Sequence, residues 1–250
     1  MEVGYKNTPR LFPKQEFGPW KYCDEEDLNR VLGGPDDEAT GLKLSAMADA
    51  GKSDWKEQIV PRSESVLDMI RVAFYVHQTA EAVDMINDAA QKGYEVSANL
   101  MAVAAAQEKE VDQCLELLAQ SPASVLVVVD SWGSMYTEQV ENLVKKYDQY
   151  GRDTGKAVGI HAHNNQQLAF ANTIEAIIRG ANRVDSTMMG MGRGAGNCPT
   201  ELLLGFLRNP TFSLRPVLQL LRDEIAPLRE KFDWGALIPY NITGQMNLHP

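Results

Sequence analysis

Several features that would define a class of protein are missing from this sequence. No apolar run is long enough to cross a membrane, so we expect no membrane role. The first residues, MEVGYKNTPR, lack the basic segment and apolar core of a signal peptide. Cysteine is scarce: Cys23, Cys114 and Cys198 lie far apart and form no C-x-x-C pair. We therefore expect a reducing, cytoplasmic setting.

Positive charge is also in deficit, with 24 Lys and Arg against 34 Asp and Glu, a net charge of −10. A chain with this charge is a poor partner for nucleic acid or for an anionic lipid surface. No low-complexity segment and no linker rich in Gly, Pro or Ser divides the 250 residues. Residues 1–250 are therefore predicted to form a single domain, of the size of an α/β barrel.

What the sequence does contain is a regular alternation of β-rich apolar runs and amphipathic helical runs. Continuous apolar runs indicate strands that are buried on both faces, and strand–helix repetition indicates a parallel sheet. Thr79 is predicted to cap one of the helices and Gly93 to end it. The predicted strands are residues 1–6, 42–49, 69–76, 94–103, 124–133, 157–164 and 182–192.

These runs number seven, whereas a closed (β/α)₈ barrel has eight strands. Two architectures fit that count. One is an open sheet, and the other is a TIM barrel lacking its first strand and helix.

The segment VGIHAHNNQQ places two of the four histidines one residue apart at the end of an apolar run. Side chains two apart on a strand point the same way, so His161 and His163 are expected to share a face. At the carboxyl end of a barrel strand, two imidazoles suit Zn²⁺, Mn²⁺ or a similar ion. The alternative is a pair of hydrogen-bonded core histidines.

A glycine-rich turn, MGMGRGAGNCPTELL, follows the last predicted strand and opens a helix. Its spacing does not match G-x-G-x-x-G, so a dinucleotide site is not expected. The turn either holds an anion at the helix start or serves backbone geometry alone. Asn197 could cap the helix or reach a metal, and the sequence leaves both open.

Further polar residues lie at predicted strand ends or within strands. An arginine inside an apolar strand must find an anion or other acceptors, which draws attention to Arg71. Asp130 and Ser131 could contribute to a site or could start the following helix. The long aromatic loop 6–23 has the length of a functional lid, or could be a packed insertion. The remaining polar positions of this kind are Asp49, Asn99, Asp185 and Thr187.

The stretch from GIHAHNNQQ to GAGNCPTELLLGFL resembles the metal-dependent aldolases and carbon–carbon lyases of the pyruvate carboxyltransferase-like superfamily. Within that superfamily it looks most like the 4-hydroxy-2-oxovalerate aldolase type. The segments EVGYK, IRVA, NLM and DSWGS stand in the family's order, so the resemblance covers nearly the whole chain. The family fold is a TIM barrel, which favours the second of the two architectures.

The resemblance implies a divalent metal, Mn²⁺, Mg²⁺ or Zn²⁺, held by His161, His163 and Asn197. The metal would polarise a small-molecule 2-oxo acid and stabilise an enolate as a carbon–carbon bond breaks. We assign catalytic roles to Arg71 and Asp130. Substrate-binding roles are assigned to Asn99, Ser131 and Thr187. A homo-oligomer or a partner dehydrogenase is expected, as in the full-length family.

One family motif is absent: D-x-T-L-R-D-G, which carries a third metal ligand and a catalytic arginine. It belongs to the first strand, the one missing from our count, so two observations agree that the first βα unit is lacking. Two alternatives therefore stay open beside the aldolase. They are an acyl-CoA-using Claisen condensation enzyme of the isopropylmalate synthase type and a non-catalytic truncated barrel. A metallohydrolase needs further histidines after the pair, and only His249 follows.

Overall fold

A computed structural model describes residues 1–32, 42–208 and 210–249. It contains one seven-stranded sheet whose strands are ordered as they occur in the chain. The pairings β1–β2, β2–β3, β3–β4 and β6–β7 are parallel. The seven strands are β1 Glu2–Tyr5, β2 Ser45–Asp49, β3 Met69–Phe74, β4 Glu95–Leu100, β5 Val125–Asp130, β6 Ala157–Ala162 and β7 Arg183–Val184.

Helices follow the strands as the amphipathic pattern predicts. The α/β fold is of the TIM-barrel type with seven strands, and an eighth is not among the described residues. The α-helices are α1 Glu25–Leu32, α2 Trp55–Gln58, α3 Thr79–Gln91, α4 Glu108–Gln120, α5 Thr137–Arg152, α6 Ala169–Ile178, α7 Thr200–Phe206, α8 Leu214–Leu220, α9 Ala226–Arg229 and α10 Ile238–Gln245. Throughout these helices no segment is long and apolar enough to span a membrane.

The two faces of strands β2 to β4 differ in chemistry. The register aligns Met47 with Arg71 and Arg71 with Ser97, so these three side chains share one face. The next position aligns Ala48 with Val72, and both are fully buried on the other face. Helix α3 packs against β3 and β4. One face of these strands is therefore hydrophobic core, while the other carries polar groups.

The described chain divides into two compact units. The first comprises residues 1–101, 107–126 and 150–156, and the second comprises residues 102–106, 127–149 and 157–250. Both histidines of the pair belong to the second unit. The prediction of a single domain over 1–250 stays a prediction.

Two of three local expectations need correction. Thr79 is the first residue of α3, not its cap, and its hydroxyl donates to the Val76 carbonyl at 2.6 Å. Strand β7 ends at Val184, well short of the predicted residue 192, because the chain turns sharply through Met188–Gly190. Gly93 does end its helix, with a φ of 94°.

The aromatic loop 6–23 folds around a lysine. The Lys21 ammonium lies 4.1 Å from the centre of the Phe12 ring, 4.9 Å from that of Tyr5 and 5.5 Å from that of Phe17. Burial lowers the pKa of Lys21 below its usual value. Such cation–π contacts order the loop, and a role as a lid stays a prediction.

Candidate metal centre

The two histidines at the end of β6 face a common space, as the alternation of a strand requires. Their ring centroids are 5.0 Å apart and the rings meet edge to face, with 71° between their planes. The intervening and preceding residues, Ala162 and Ile160, are buried on the opposite face. Two imidazoles are therefore brought together by strand geometry alone.

One ring of the pair is oriented by a carboxylate. His161 Nδ1 lies 2.8 Å from Asp185 Oδ2, just beyond the end of β7. If Nδ1 carries the hydrogen and donates it to this carboxylate, then Nε2 keeps its lone pair. Carboxylate–histidine pairs of this kind fix the tautomer and raise the basicity of a metal-ligating ring. In that tautomer the lone pair of His161 Nε2 is available to a cation.

The second ring is held neutral. Burial lowers the pKa of His163 to about 3, and the nearby His161 and Arg193 act in the same direction. A neutral imidazole in a buried position is the form that binds a metal ion.

Asn197 supplies an unused oxygen beside the pair. It is joined to His163 by an isolated β-bridge, and its side chain is largely buried. Its Nδ2 donates to the Met191 carbonyl at 3.2 Å, whereas its Oδ1 has no hydrogen-bond partner. A buried amide oxygen without a donor is costly unless something else satisfies it. Asn197 does not cap a helix, because α7 begins at Thr200 and follows Pro199.

The glycines of the turn make this position of Asn197 feasible. A Cβ on Gly192 would collide with Nδ2 of Asn197, and one on Gly196 would collide with the Gly190 carbonyl. Gly196 also has a φ of 83°, which disfavours any other residue. Trp234 braces the turn, because its Nε1 donates to the Met189 carbonyl at 3.1 Å.

Asp130 and Ser131, at the end of β5, lie in the same unit. The Asp130 carboxylate accepts the main-chain N–H of Ser134 at 3.0 Å and that of Met135 at 3.2 Å. Burial raises the pKa of Asp130 to about 6, and those two hydrogen bonds limit the increase. The Ser131 hydroxyl accepts the main-chain N–H of Ala102 at 2.8 Å. Both residues therefore have structural contacts in addition to their predicted roles.

Arg71 and Asn99 are brought together in the first unit. Arg71 donates to Glu2 Oε2 and to Asn99 Oδ1, both at 3.0 Å. Asn99 Nδ2 in turn donates to Ser97 Oγ at 3.0 Å. These hydrogen bonds give the Arg71 guanidinium the acceptors that a charged group within an apolar strand requires.

The last predicted site residue is Thr187, in the second unit. Its hydroxyl oxygen is buried without a hydrogen-bond partner, and its backbone forms an isolated β-bridge with Pro199.

These donors fit a divalent cation with mixed nitrogen and oxygen ligands. In residues 1–32, 42–208 and 210–249, no group of three or more His, Cys, Asp or Glu side chains is arranged to hold a metal. The third candidate metal ligand near the imidazole pair is an amide oxygen, the Oδ1 of Asn197, which has no hydrogen-bond partner. Imidazole together with carbonyl-type oxygen suits Mn²⁺, Zn²⁺ and similar ions.

Comparison with known proteins identifies the family. The sequence profile of the HMGL-like family matches residues 64–219, more than half of the chain. The chain belongs to the HMGL-like family. The matched segment runs from before β3 into α8 and contains the histidine pair and the glycine turn.

Named relatives of this HMGL-like chain are lyases. It is 33% identical over 165 residues to 4-hydroxy-2-oxovalerate aldolase of Geobacillus thermodenitrificans, which covers 64% of the chain and 47% of that protein. It is 31% identical over 142 residues to oxaloacetate decarboxylase of Mycobacterium tuberculosis, covering 57% and 41%. The chain therefore spans about half the length of these relatives.

Solved structures agree on the fold. The N-terminal domain of a candidate aldolase from Bacteroides vulgatus superposes with a TM-score of 0.79 at 28% identity, covering 99% of the HMGL-like chain and 80% of that domain. The carboxyl transferase domain of Rhizobium etli pyruvate carboxylase matches with a TM-score of 0.66 at 15% identity, covering 82% and 39%. This second likeness concerns the fold alone.

Sequence reasoning gave two residues of this centre no role. In the sequence Asp185 is only a polar residue near a strand end, and its contact with His161 joins positions 24 residues apart. Arg193, in the middle of the glycine turn, is exposed and reads as an ordinary surface charge. Its electrostatic effect on His163 and its hydrogen bond to the Ser131 carbonyl at 3.1 Å place it beside the histidine pair.

Proposed function

We propose that this HMGL-like chain carries the site of a divalent-metal-dependent carbon–carbon lyase that acts on a 2-oxo acid. The observation that carries the proposal is the unpartnered Oδ1 of Asn197 beside two imidazoles, one oriented by Asp185 and one neutral. The names of the relatives, an aldolase and a decarboxylase, support the same reaction class. In both named reactions the product is pyruvate and the charge that develops is that of its enolate.

His161, His163 and Asn197 would hold the metal in this proposal. A bound divalent cation polarises the carbonyl oxygen of the substrate and so favours negative charge on it. Asp185 keeps His161 in the tautomer that exposes Nε2. Low polarity around His163 keeps that ring from taking up a proton that would compete with the cation.

Proton transfer is assigned to Asp130, as the sequence suggested. A carboxyl group with a pKa of about 6 accepts and returns a proton readily near neutral pH. In aldol cleavage it would take the proton of the 4-hydroxyl group while the carbon–carbon bond breaks and an aldehyde leaves. The same proton would then return to the carbon that becomes the methyl group of pyruvate.

The other predicted roles stay proposals. Ser131 and Thr187 belong to the same unit as the histidines, and the buried Thr187 hydroxyl oxygen is open to a substrate donor. Arg71 and Asn99 form a hydrogen-bonded pair in the first unit. Association with a second copy or with a dehydrogenase, and a cytoplasmic location, are likewise proposals, compatible with three free, buried cysteines.

The experiment combines metal binding with pyruvate release. Titration calorimetry with Mn²⁺ is compared for the wild-type chain, His163→Ala and His77→Ala, the last a control whose ring stacks on Tyr75 at 5.8 Å. We expect His163→Ala alone to lose binding, and the wild type to release pyruvate from 4-hydroxy-2-oxovalerate or oxaloacetate. Failure of the wild type to bind Mn²⁺ would overturn the metal centre. Mn²⁺ binding without pyruvate release would favour the non-catalytic alternative.

A further inference from the structure

We propose that Arg193 binds the carboxylate group of the 2-oxo acid substrate. The inference rests on the proposed function, since it names the group that recognises the substrate at that site. A 2-oxo acid keeps its carboxylate charged at neutral pH, and a fixed positive charge near the carbonyl-binding position, beside that of the metal, favours such acids over neutral ketones.

The backbone of the glycine turn brings Arg193 to the histidine pair. The Gly196 carbonyl accepts the main-chain N–H of Asn164 at 2.8 Å, directly after His163. The turn closes on itself, because the N–H of Gly196 donates to the Arg193 carbonyl at 3.0 Å. Arg193 is therefore tied through one short turn to the residues that follow β6.

The guanidinium group is anchored at the carboxyl end of β5. Its Nη2 donates to the Ser131 carbonyl at 3.1 Å, and its Nη1 lies 3.3 Å from His249 Nε2. Donation to His249 requires that Nε2 carries no hydrogen. Because two nitrogens of this exposed arginine are already anchored, its side chain loses less conformational entropy when a ligand binds.

The flanking backbone is also fixed. Gly194 has a φ of 61°, and its α-carbon lies so close to the Tyr240 ring that a Cβ would be 2.9 Å from it. The Gly194 carbonyl accepts the N–H of Gly235 at 3.1 Å. The last helix, α10, and the segment before it thus contact the turn at Gly194.

The positive charge of Arg193 is not neutralised by the groups that hold it. Its partners in the described ranges are a carbonyl oxygen and an imidazole nitrogen, with no carboxylate among them. The guanidinium is exposed and has further N–H groups to offer. An anchored guanidinium without a counter-ion, at the strand ends where substrate is expected, matches a carboxylate ligand in charge and in planar geometry.

The test compares a charged ligand with an uncharged analogue. Binding of pyruvate and of methyl pyruvate to the Mn²⁺-loaded chain is measured by ligand-observed NMR for the wild type, Arg193→Gln, Arg193→Lys and the control Arg183→Gln. Arg183 is exposed, and within the described ranges its guanidinium donates to the neighbouring Asn182 carbonyl. We expect Arg193→Gln to weaken pyruvate binding at least about tenfold and to leave methyl pyruvate and Mn²⁺ binding unchanged.

Two further results complete the design. Arg193→Lys should recover part of the affinity, because the charge remains but the planar fork is lost. In turnover, Arg193→Gln should raise KM more than it lowers kcat. Pyruvate binding by Arg193→Gln equal to that of the wild type would overturn the inference and leave the metal centre standing. A wild-type chain that binds Mn²⁺ but neither pyruvate nor a substrate would overturn both proposals.

Discussion

At the scale of single residues, the candidate metal centre depends on hydrogen bonds that decide which nitrogen of a ring is available. Asp185 Oδ2 lies 2.8 Å from His161 Nδ1. The corresponding hydrogen-bond partner of His163 is the backbone of Gly196, in the glycine turn. In the proposed metal centre, a carboxylate in this place would act on the metal only through the ring that it orients. The contribution of Asp185 to metal affinity can therefore be measured separately from that of the ligands.

Replacing Asp185 by Asn keeps an acceptor for His161 Nδ1 but removes the charge. We expect Mn²⁺ affinity to fall by about 10- to 100-fold, which is typical of lost support for a ligating histidine. Titration calorimetry measures the affinity, and Asp153→Asn, at an exposed position after α5, is the matched control. Unchanged affinity in Asp185→Asn would show that the carboxylate does not support the ring.

A second residue-scale effect concerns Cys23, in the first unit. The thiol is fully buried, and burial raises its pKa to about 11 from an ordinary value near 9. The unfolded chain therefore loses this proton at lower pH than the folded chain, so stability should fall as pH rises from 9 to 11. The loss attributable to Cys23 should be at most about 2 to 3 kcal/mol.

Urea unfolding at pH 8, 9, 10 and 11 measures this loss, with Cys23→Ala as the comparison. The variant lacks the ionising group, so its free energy of unfolding should fall less steeply over the same interval. Cys198, whose pKa is also raised to about 11, remains in both proteins and cancels in the difference. Parallel curves for the two proteins would contradict the prediction.

At the scale of elements, the glycine turn between β7 and α7 is the part that sequence patterns described least well. The apolar run predicts a strand to residue 192, but the pairing with β6 ends at Val184, and the last hydrogen bond to β6 is from the Asp185 N–H to the Ile160 carbonyl at 3.0 Å. The turn instead folds back so that Asn197 meets His163. Periodicity identifies strands from local alternation, whereas this contact joins positions 34 residues apart and leaves no local trace.

Gly196→Ala should disrupt this turn specifically. The substitution combines an unfavourable φ of 83° with a collision against the Gly190 carbonyl, so we expect a loss of more than about 1 to 3 kcal/mol of local stability. Mn²⁺ binding should be lost while the far-UV circular dichroism of the chain is kept. Gly205→Ala, inside α7 with open space around the α-carbon, is the control and should gain up to about 1 kcal/mol. Retained Mn²⁺ binding in Gly196→Ala would argue against Asn197 as a ligand.

At the scale of the whole molecule, the sequence was sufficient for the strand order and the fold class but not for the full chemistry of the site. All seven predicted strands exist, and the fully buried ones, such as β5, carry continuous apolar runs that are visible in the sequence. The imidazole pair was predicted from strand alternation. Asp185 and Arg193 have no role predicted from the sequence, since the roles proposed for them depend on tertiary contacts of residues that locally resemble ordinary surface charges.

The division of the chain into two compact units gives a prediction about where a metal acts. The proposed ligands all belong to the second unit, residues 102–106, 127–149 and 157–250. A cation at 100 times its dissociation constant stabilises the state that binds it by about 2.7 kcal/mol. Amides that exchange through local opening of β6, the glycine turn and α7 should therefore be protected by Mn²⁺. Amides of β1 to β3 that exchange through local opening should be unaffected.

Hydrogen–deuterium exchange with mass spectrometry, with and without Mn²⁺, measures this pattern peptide by peptide. His163→Ala is the control, because it removes one proposed ligand and should abolish the Mn²⁺-dependent protection. Protection confined to peptides from the first unit would contradict the assignment of the ligands. Protection that persists in His163→Ala would mean that Mn²⁺ binds elsewhere on this acidic chain, whose net charge is −10.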